Sequence, residues 1–360
     1  MKKILIIITL CVIVFLGLSI FKKINSNQDS KTSKAYRTEK NDSLAITDLE
    51  ERKIPIIDVH EHVQTIDDAE RLLKAMDKFN IQKTCLMGTS HYTFTLNEKY
   101  GFERFKENNE TIINIKKSFP NRFCAFITID PLEENNLDLI KDYVSRGADG
   151  LKLYLGHGAG TGKGPFHSMS LDDERMLPIY EWAEKEQFPI LYHINLIKYY
   201  DEFIRVLDLY PNLRVCLPHF GLHSRTEERL DRLSSIFEKY PNIYTDYSFG
   251  HHQFHIEGFE GFSKWRTRSK KFFEKYADRI MYGSDMVIEK TKTEDYIENT
   301  LRSYMQLIES REFNFFYKTE HTMWGLDLNE ESLKKIYWET PKRFLLIDED
   351  GNLPNRTLIN

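Results

Sequence analysis

Histidine is the residue type here best placed to do chemistry. All twelve histidines lie beyond residue 59, and the first two sit in Ile-Asp-Val-His-Glu-His. Side chains alternate along an extended strand, so Asp58, His60 and His62 are expected to share one face. Two imidazoles so placed suit capture of a divalent metal ion. An isolated H-x-H says little, but four more residues share its setting. His193 ends Pro-Ile-Leu-Tyr-His, and His219 ends Val-Cys-Leu-Pro-His. Asp285 follows Met-Tyr-Gly-Ser, and Lys152 lies in Gly-Leu-Lys-Leu-Tyr. Each stands in or just after a short apolar run. Single buried histidines are usually core residues, whereas four with an aspartate and a lysine at strand ends point to a metal site.

The elements that must bring them together alternate in type. Strand-like runs are Ile54–His60, Ile81–Gly88, Arg122–Asp130, Asp149–Leu155, Pro189–His193, Leu213–Pro218, Ile243–Asp246 and Arg279–Gly283. Helical patterns lie between them, at Asp67–Phe79, Leu137–Arg146, Leu171–Glu186, Glu227–Tyr240 and Thr293–Glu309. Eight such strands predict an α/β fold, a (β/α)8 TIM barrel, whose strand carboxyl ends meet at one mouth. An open doubly wound sheet would usually carry a glycine-rich loop after its first strand; Asp-Val-His-Glu-His stands there instead. Two stretches, about Phe249–Phe262 and Arg311–Asp327, exceed ordinary connections and are expected to be loops forming substrate walls or lids.

With these motifs in place, the chain resembles the metal-dependent amidohydrolase superfamily. Within it, the likeness is to the amidohydrolase-related branch that includes aminocarboxymuconate-semialdehyde decarboxylase-like enzymes. It runs from about Ile54 to Ile347 and includes Tyr-Trp-Glu-Thr-Pro-Lys-Arg-Phe-Leu, similar to the branch's closing helix, where Asn is common in place of Thr340. The resemblance implies a (β/α)8 barrel with His60, His62, His193 and Asp285 as metal ligands and His219 as a catalytic residue. Lys152 matches a lysine that is carboxylated and bridges two metals in binuclear relatives. In the mononuclear branch it would be an unmodified lysine at the mouth, and Lys152 and His219 are carried both as second-metal and as substrate contacts.

Three imidazoles and a carboxylate leave an open coordination position, most naturally on zinc, with manganese, iron or cobalt compatible with the same donors. Asp285 would take a proton from water, and His219 would hold or polarise a substrate oxygen. The expected function is hydrolysis of a small ester, lactone or amide. Nonoxidative decarboxylation of a small carboxylic acid is the alternative. A binding protein without catalysis is the third reading, disfavoured because no ligand is missing.

Further candidates sit in the expected loops. Gly156-His-Gly-Ala-Gly-Thr-Gly-Lys-Gly resembles a phosphate loop, but lacks Gly at His157 and Ser or Thr at Gly164. His157, Lys163 or His167 could instead meet an anionic substrate. His223, His251, His252 and His255 lie in the later loops, near Arg225, Arg266 and Arg268, any of which could grip a carboxylate. Tyr154, Phe220, Tyr247, Phe249 and Phe254 could line a pocket or simply pack beneath the loops.

Composition bounds the rest. The chain has 360 residues, 41% hydrophobic and 29% charged, with net charge −5, which excludes a disordered tail and a basic field for nucleic acid. Cys85, Cys124 and Cys216 sit unevenly in apolar runs and read as buried free thiols, while Cys11 lies in an apolar leader. That leader, Ile4 to Phe21, is flanked by lysines and is long enough to span a bilayer. It reads as an uncleaved membrane anchor, with a signal peptide as the competitor. Lys22, Lys23, Lys31, Lys34, Arg37 and Lys40 would favour a cytosolic domain; the signal-like brevity of the leader favours an extracytoplasmic one, which is the expectation adopted. The predicted organisation is an anchor at 1–23, a polar tether at 24–52, the barrel at 53–348 and a tail at 349–360. A small-molecule substrate is the expected partner. The family resemblance also implies a homodimer, for which the sequence shows no interface.

Overall fold

A computed structural model describes residues 53–88, 102, 104–155, 169–222, 227–250, 253–317 and 319–356. Eight parallel strands follow one another in sequence order: β1 (Ile56–Glu61), β2 (Ile81–Met87), β3 (Phe123–Thr128), β4 (Gly150–Leu153), β5 (Ile190–Tyr192), β6 (Val215–Leu217), β7 (Ile243–Asp246) and β8 (Ile280–Met281). β8 returns to β1. Val59 N–H donates to Tyr282 O (3.0 Å), Asp285 N–H to His60 O (2.7 Å) and Ile288 N–H to His62 O (2.7 Å). The expected TIM barrel is therefore present and nearly closed.

Two apolar layers hold it. Inside, Ile57, Val59, Cys85, Met87, Cys124, Phe126, Leu191, Cys216, Tyr244 and Met281 pack together. Phe344, from the closing helix Thr340–Leu345, plugs this layer, its ring 6.4 Å from Phe126 and 5.4 Å from Tyr244. Outside, residues such as Ile81, Ile127, Leu151 and Ile190 pack with apolar helix residues such as Leu72, Ile112, Ile179 and Leu301. Cys85, Cys124 and Cys216 are buried free thiols, as expected.

Strict alternation fails in β1. Asp58 stands opposite Thr84 but Glu61 opposite Leu86, so β1 carries one extra residue there. Such a bulge re-aims side chains. Ile57 and Val59 join the interior layer, and Asp58 turns to Ser284 at the β8 seam rather than sharing a face with His60.

Both presumed long loops are corrected. Most of Phe249–Phe262 is helix, within Gln253–Lys264. Two glycines hide the pattern, since glycine disfavours helix; at Gly258 a Cβ would come within 2.3 Å of the Phe249 ring, so close packing explains its presence. Arg311–Asp327 is mostly an antiparallel hairpin of β9 (Glu312–Tyr317) and β10 (Thr319–Trp324). Phe313 and Phe315 alternate inward from β9, and both rings meet Phe259.

The membrane-anchored, extracytoplasmic expectation is also corrected. Among the described residues no helix is long and apolar enough to cross a membrane. Their longest helix, Glu294–Glu309, has 16 residues and is amphipathic, too short for a hydrocarbon core about 30 Å thick. The apolar run Ile4–Phe21 and the segment 24–52 lie outside the described residues.

Because Phe344 fills the barrel floor, Phe344→Ala should lower unfolding free energy by about 3–5 kcal/mol. Urea denaturation would show this as a lower midpoint at unchanged slope. A loss below about 1 kcal/mol would mean that the floor collapses around the gap.

Candidate metal centre

His60 lies in β1 and His62 immediately beyond it; Lys152 is in β4, and His193 directly follows β5. His219 and Asp285 follow β6 and β8 in left-handed backbone, with φ of 57° and 45°, as do Phe220 and Val287. Left-handed backbone costs a residue with a side chain about 1–2 kcal/mol. It persists where neighbours fix it, and here they do. Asp246 accepts His219 N–H (3.1 Å), His60 O accepts Asp285 N–H, and Glu61 accepts Met286 and Val287 N–H (3.0 and 2.9 Å).

These turns bring the side chains together. Asp285 Oδ1 is 3.5 Å from His60 Nε2 and 3.3 Å from His62 Nε2, and Oδ2 is 3.3 Å from His219 Nε2. The His193 ring lies 5.0 Å from that of His219. All are buried, and His60, His219 and Asp285 offer one ligand atom each within 4.8 Å of the others.

Hydrogen bonds fix two tautomers. His60 Nδ1–H donates to Asp246 Oδ2 (2.9 Å), leaving Nε2 to accept from Lys152 Nζ (2.9 Å). His219 Nδ1 faces Ser248 O (2.9 Å) and Ser248 Oγ (2.9 Å), and the Oγ hydrogen is spent on Asp246 Oδ1 (2.6 Å). Nδ1 of His219 is therefore the donor and its Nε2 carries a lone pair. That lone pair meets an Asp285 oxygen with no hydrogen of its own to offer. A cation among these atoms relieves the repulsion, and imidazoles tethered through their far nitrogen are the usual metal-site arrangement. The donor set fits a divalent metal.

The electrostatics agree. Burial drives His60 down to about 4, so it is neutral and able to ligate near neutral pH. Burial also works to raise Asp285, but the imidazoles of His60, His62 and His219 outweigh it and hold the carboxyl well below its usual range. Asp246 is likewise held at about 2, burial being outweighed chiefly by His60. Lys152, fully buried, is pulled down to about 8 by burial, against Asp285 and Asp246.

A second carboxyl pair backs the ligands. Ser284 Oγ lies 2.5 Å from Asp58 Oδ2 and 2.6 Å from Glu61 Oε2. One hydroxyl hydrogen cannot serve both. Glu61 already accepts N–H groups of His62, Met286 and Val287 and takes the ionised role. Burial raises both carboxyls, Asp58 well above its usual range with the Glu61 charge adding to it, so Asp58 is the better placed of the two to hold a proton.

His157, Lys163, His167, His223, Arg225, His251 and His252 lie outside the described residues. His255 is buried in helix Gln253–Lys264, its Nε2 3.0 Å from Gly250 O, so it braces the β7 loop rather than facing solvent. Arg266 and Arg268 bind Gly325 O and Asp231. Phe220, Tyr247 and Phe249 pack beneath the loops, whereas Tyr154 faces both Lys152 (4.8 Å) and His193 (5.7 Å). Sequence reasoning missed Asp246, although it ends β7 as the other candidates end their strands. It also missed Glu61 and Ser284, which alternation would have turned away, and Gly250, whose left-handed backbone (φ 76°) brings a Cβ position within 3.2 Å of Asp285 Oδ2.

The profile of the family described as Amidohydrolase matches residues 57–347. No curated protein matches the chain. Among solved structures, an uncharacterised TIM-barrel protein from Bordetella bronchiseptica is 14% identical with TM-score 0.55, over 81% of this chain and 99% of that one. 4-Oxalomesaconate hydratase from Rhodopseudomonas palustris is 16% identical with TM-score 0.50, over 80% and 95%. A 5-carboxyvanillate decarboxylase from Novosphingobium aromaticivorans, solved with bound manganese, is 15% identical with TM-score 0.50, over 82% and 97%. At such identities the likeness shows the fold alone.

Since His60 falls from 6.5 to about 4 on folding, the unfolded chain binds a proton there that the folded chain does not. Metal-free protein should therefore lose stability as pH drops from about 6.5 to 4, by up to about 3 kcal/mol. Urea unfolding of wild type and His60→Gln across that window checks it; an identical slope in the variant would assign the effect to another group.

Proposed function

Because the chain belongs to the amidohydrolase family, we propose that it is a metal-dependent hydrolase of a small ester, lactone or amide. The observation that carries this reading is the convergence of imidazole lone pairs on the ionised Asp285 carboxylate, with His60 and His219 each tethered through Nδ1. In this reading His60, His62, His193 and Asp285 hold the ion, with His219 as a further ligand or a base. Zinc is the first expectation, and manganese, iron and cobalt suit the same nitrogen and oxygen donors.

A bound divalent ion supplies Lewis acidity, bringing the pKa of water towards roughly 7. Asp285 takes the proton of the attacking water and returns it to the leaving group. Its low basicity suits a water already made acidic. His219, with Nδ1–H committed to Ser248, turns Nε2 towards Asp285, where it would receive a proton or bind the ion. Asp246 holds both rings in register. Lys152 and Tyr154 border His60 and His193 and line the place where a polar substrate group would lie.

Decarboxylation would call for a cationic clamp on the substrate carboxylate. Arg266 and Arg268 are committed elsewhere, and among the described residues the cation touching the cluster is Lys152. Arg225 and Lys163, the other candidate clamps, lie outside the described residues.

Metal analysis of protein made without added metal should give one ion per chain in both wild type and Lys152→Ala. Two ions falling to fewer in the variant would instead indicate a lysine bridge. Asp285→Asn should lower kcat against a competent ester or lactone by at least about 100-fold, and chelation should abolish turnover. Carbon dioxide release from carboxylic acids, with no ester, lactone or amide cleaved, would replace hydrolysis by decarboxylation.

A further inference from the structure

The floor of the barrel, at the end opposite His60 and Asp285, carries a partly open cavity of about 270 Å³. Its walls are Lys83 of β2, Lys116 near the end of the helix Phe105–Ser118, the turns that feed β3 and β4, with Asp149, and a carboxyl-terminal segment with Arg356. Lys83, Asp149 and Arg356 are only 6%, 6% and 7% exposed. Asp149 is the one carboxylate of the described lining, and it is already engaged. Its Oδ1 accepts Lys116 Nζ (2.7 Å) and its Oδ2 accepts Ala125 N–H (2.9 Å).

The other two cations have only carbonyl partners. Lys83 Nζ donates to Asn121 O (2.6 Å), and Arg356 donates to Glu186 O (2.9 Å) and Gln187 O (3.2 Å). Among the described residues neither lies within 4.0 Å of a carboxylate. An ammonium has three N–H donors and a guanidinium five, so both retain unused donors. Burial of a charge without a counter-charge is costly, and three cations surround one carboxylate here. Mutual influence is evident. Asp149, raised by burial, is drawn back down by Lys116 and Lys83, while Arg356 is pushed down by burial, against the charge of Asp149, with Arg214 lowering it further.

We propose that this cavity is a binding site for a small oxyanion, held by Lys83, Lys116 and Arg356, that fastens the carboxyl-terminal segment to the barrel floor. At about 30 Å³ per water, the cavity takes a phosphate or a small dicarboxylate together with a few waters. The shared chemistry is a compact, multiply charged oxygen anion.

The test is calorimetry and thermal unfolding of the full chain with inorganic phosphate and, separately, malonate, against potassium chloride at equal ionic strength. Saturable binding of either anion is expected, with Tm raised by about 2 °C at ten times Kd. Phosphate alone binding would name a phosphoryl ligand, malonate alone a carboxylate, and either supports the site. Lys83→Met and Arg356→Met should each weaken binding at least tenfold, while His193→Ala at the other end leaves it unchanged. Should Arg356→Met fail to fold, Lys83→Met carries the test, with near-ultraviolet circular dichroism confirming its fold. No saturable binding of either anion would overturn the proposal. So would undiminished binding in Lys83→Met, or loss of binding in His193→Ala, which would place the anion at the metal centre.

Discussion

The hydrogen bonds that return β8 to β1 are the constraint on which the rest of the molecule depends. A parallel barrel has no hairpin to join its last strand to its first, so the seam must be made by contacts between residues more than 200 positions apart. Here the peptides that make it belong to the candidate ligands. His60 O accepts from Asp285 N–H and His62 O from Ile288 N–H, so the barrel cannot close without bringing Asp285 against the histidines. β8 is only two residues long as a paired strand. Glu61 then takes over, its carboxylate receiving the Met286 and Val287 N–H groups that a longer strand would have paired. The strained backbone at Asp285 and Val287 is stored at this seam and balanced there, as expected of strain at a functional site.

That dependence explains which parts of the molecule were legible in sequence. Strand order and the ends bearing His60, His193, His219 and Asp285 follow from apolar runs and position, both local properties. The orientation of Asp58 did not follow, because one extra residue in β1 changes the parity of everything beyond it and no residue type announces a bulge. The helix Gln253–Lys264 was hidden by Gly258, whose lack of a side chain reads locally as a loop but serves contact with Phe249, a tertiary fact. Asp246 shows the converse. Its position carried the signal, and only the attention given to histidine concealed it.

Lys152 is where two demands on one atom meet. The lone pair of His60 Nε2 accepts from Lys152 Nζ, and the same lone pair is needed for ligation. A lysine ammonium and a metal ion cannot both use it. Burial lowers Lys152 to about 8, so turning it aside or removing its proton costs far less than for an exposed lysine near 10.4. Protonated Lys152 balances the charges of Asp285 and Asp246, a role that a divalent ion would take over if bound there.

The choice between hydrolysis and decarboxylation rests on the fate of a proton rather than on the fold, which hosts both. A hydrolase needs a base that stays ionised among its ligands and accepts a proton only transiently. Asp285 meets the first condition because three imidazoles oppose the effect of burial. It meets the second only if its proton source is unusually acidic, since a weak base gains little from ordinary water. A decarboxylase makes neither demand on the carboxylate, but must neutralise a substrate carboxylate before its carbon–carbon bond breaks. Within the described site the positive charge available for that is Lys152, and burial has made it the cation most ready to surrender its charge. The imidazoles that keep Asp285 ionised thus suit it to proton transfer, while burial leaves Lys152, the cation of the described site, a weak clamp for a substrate carboxylate.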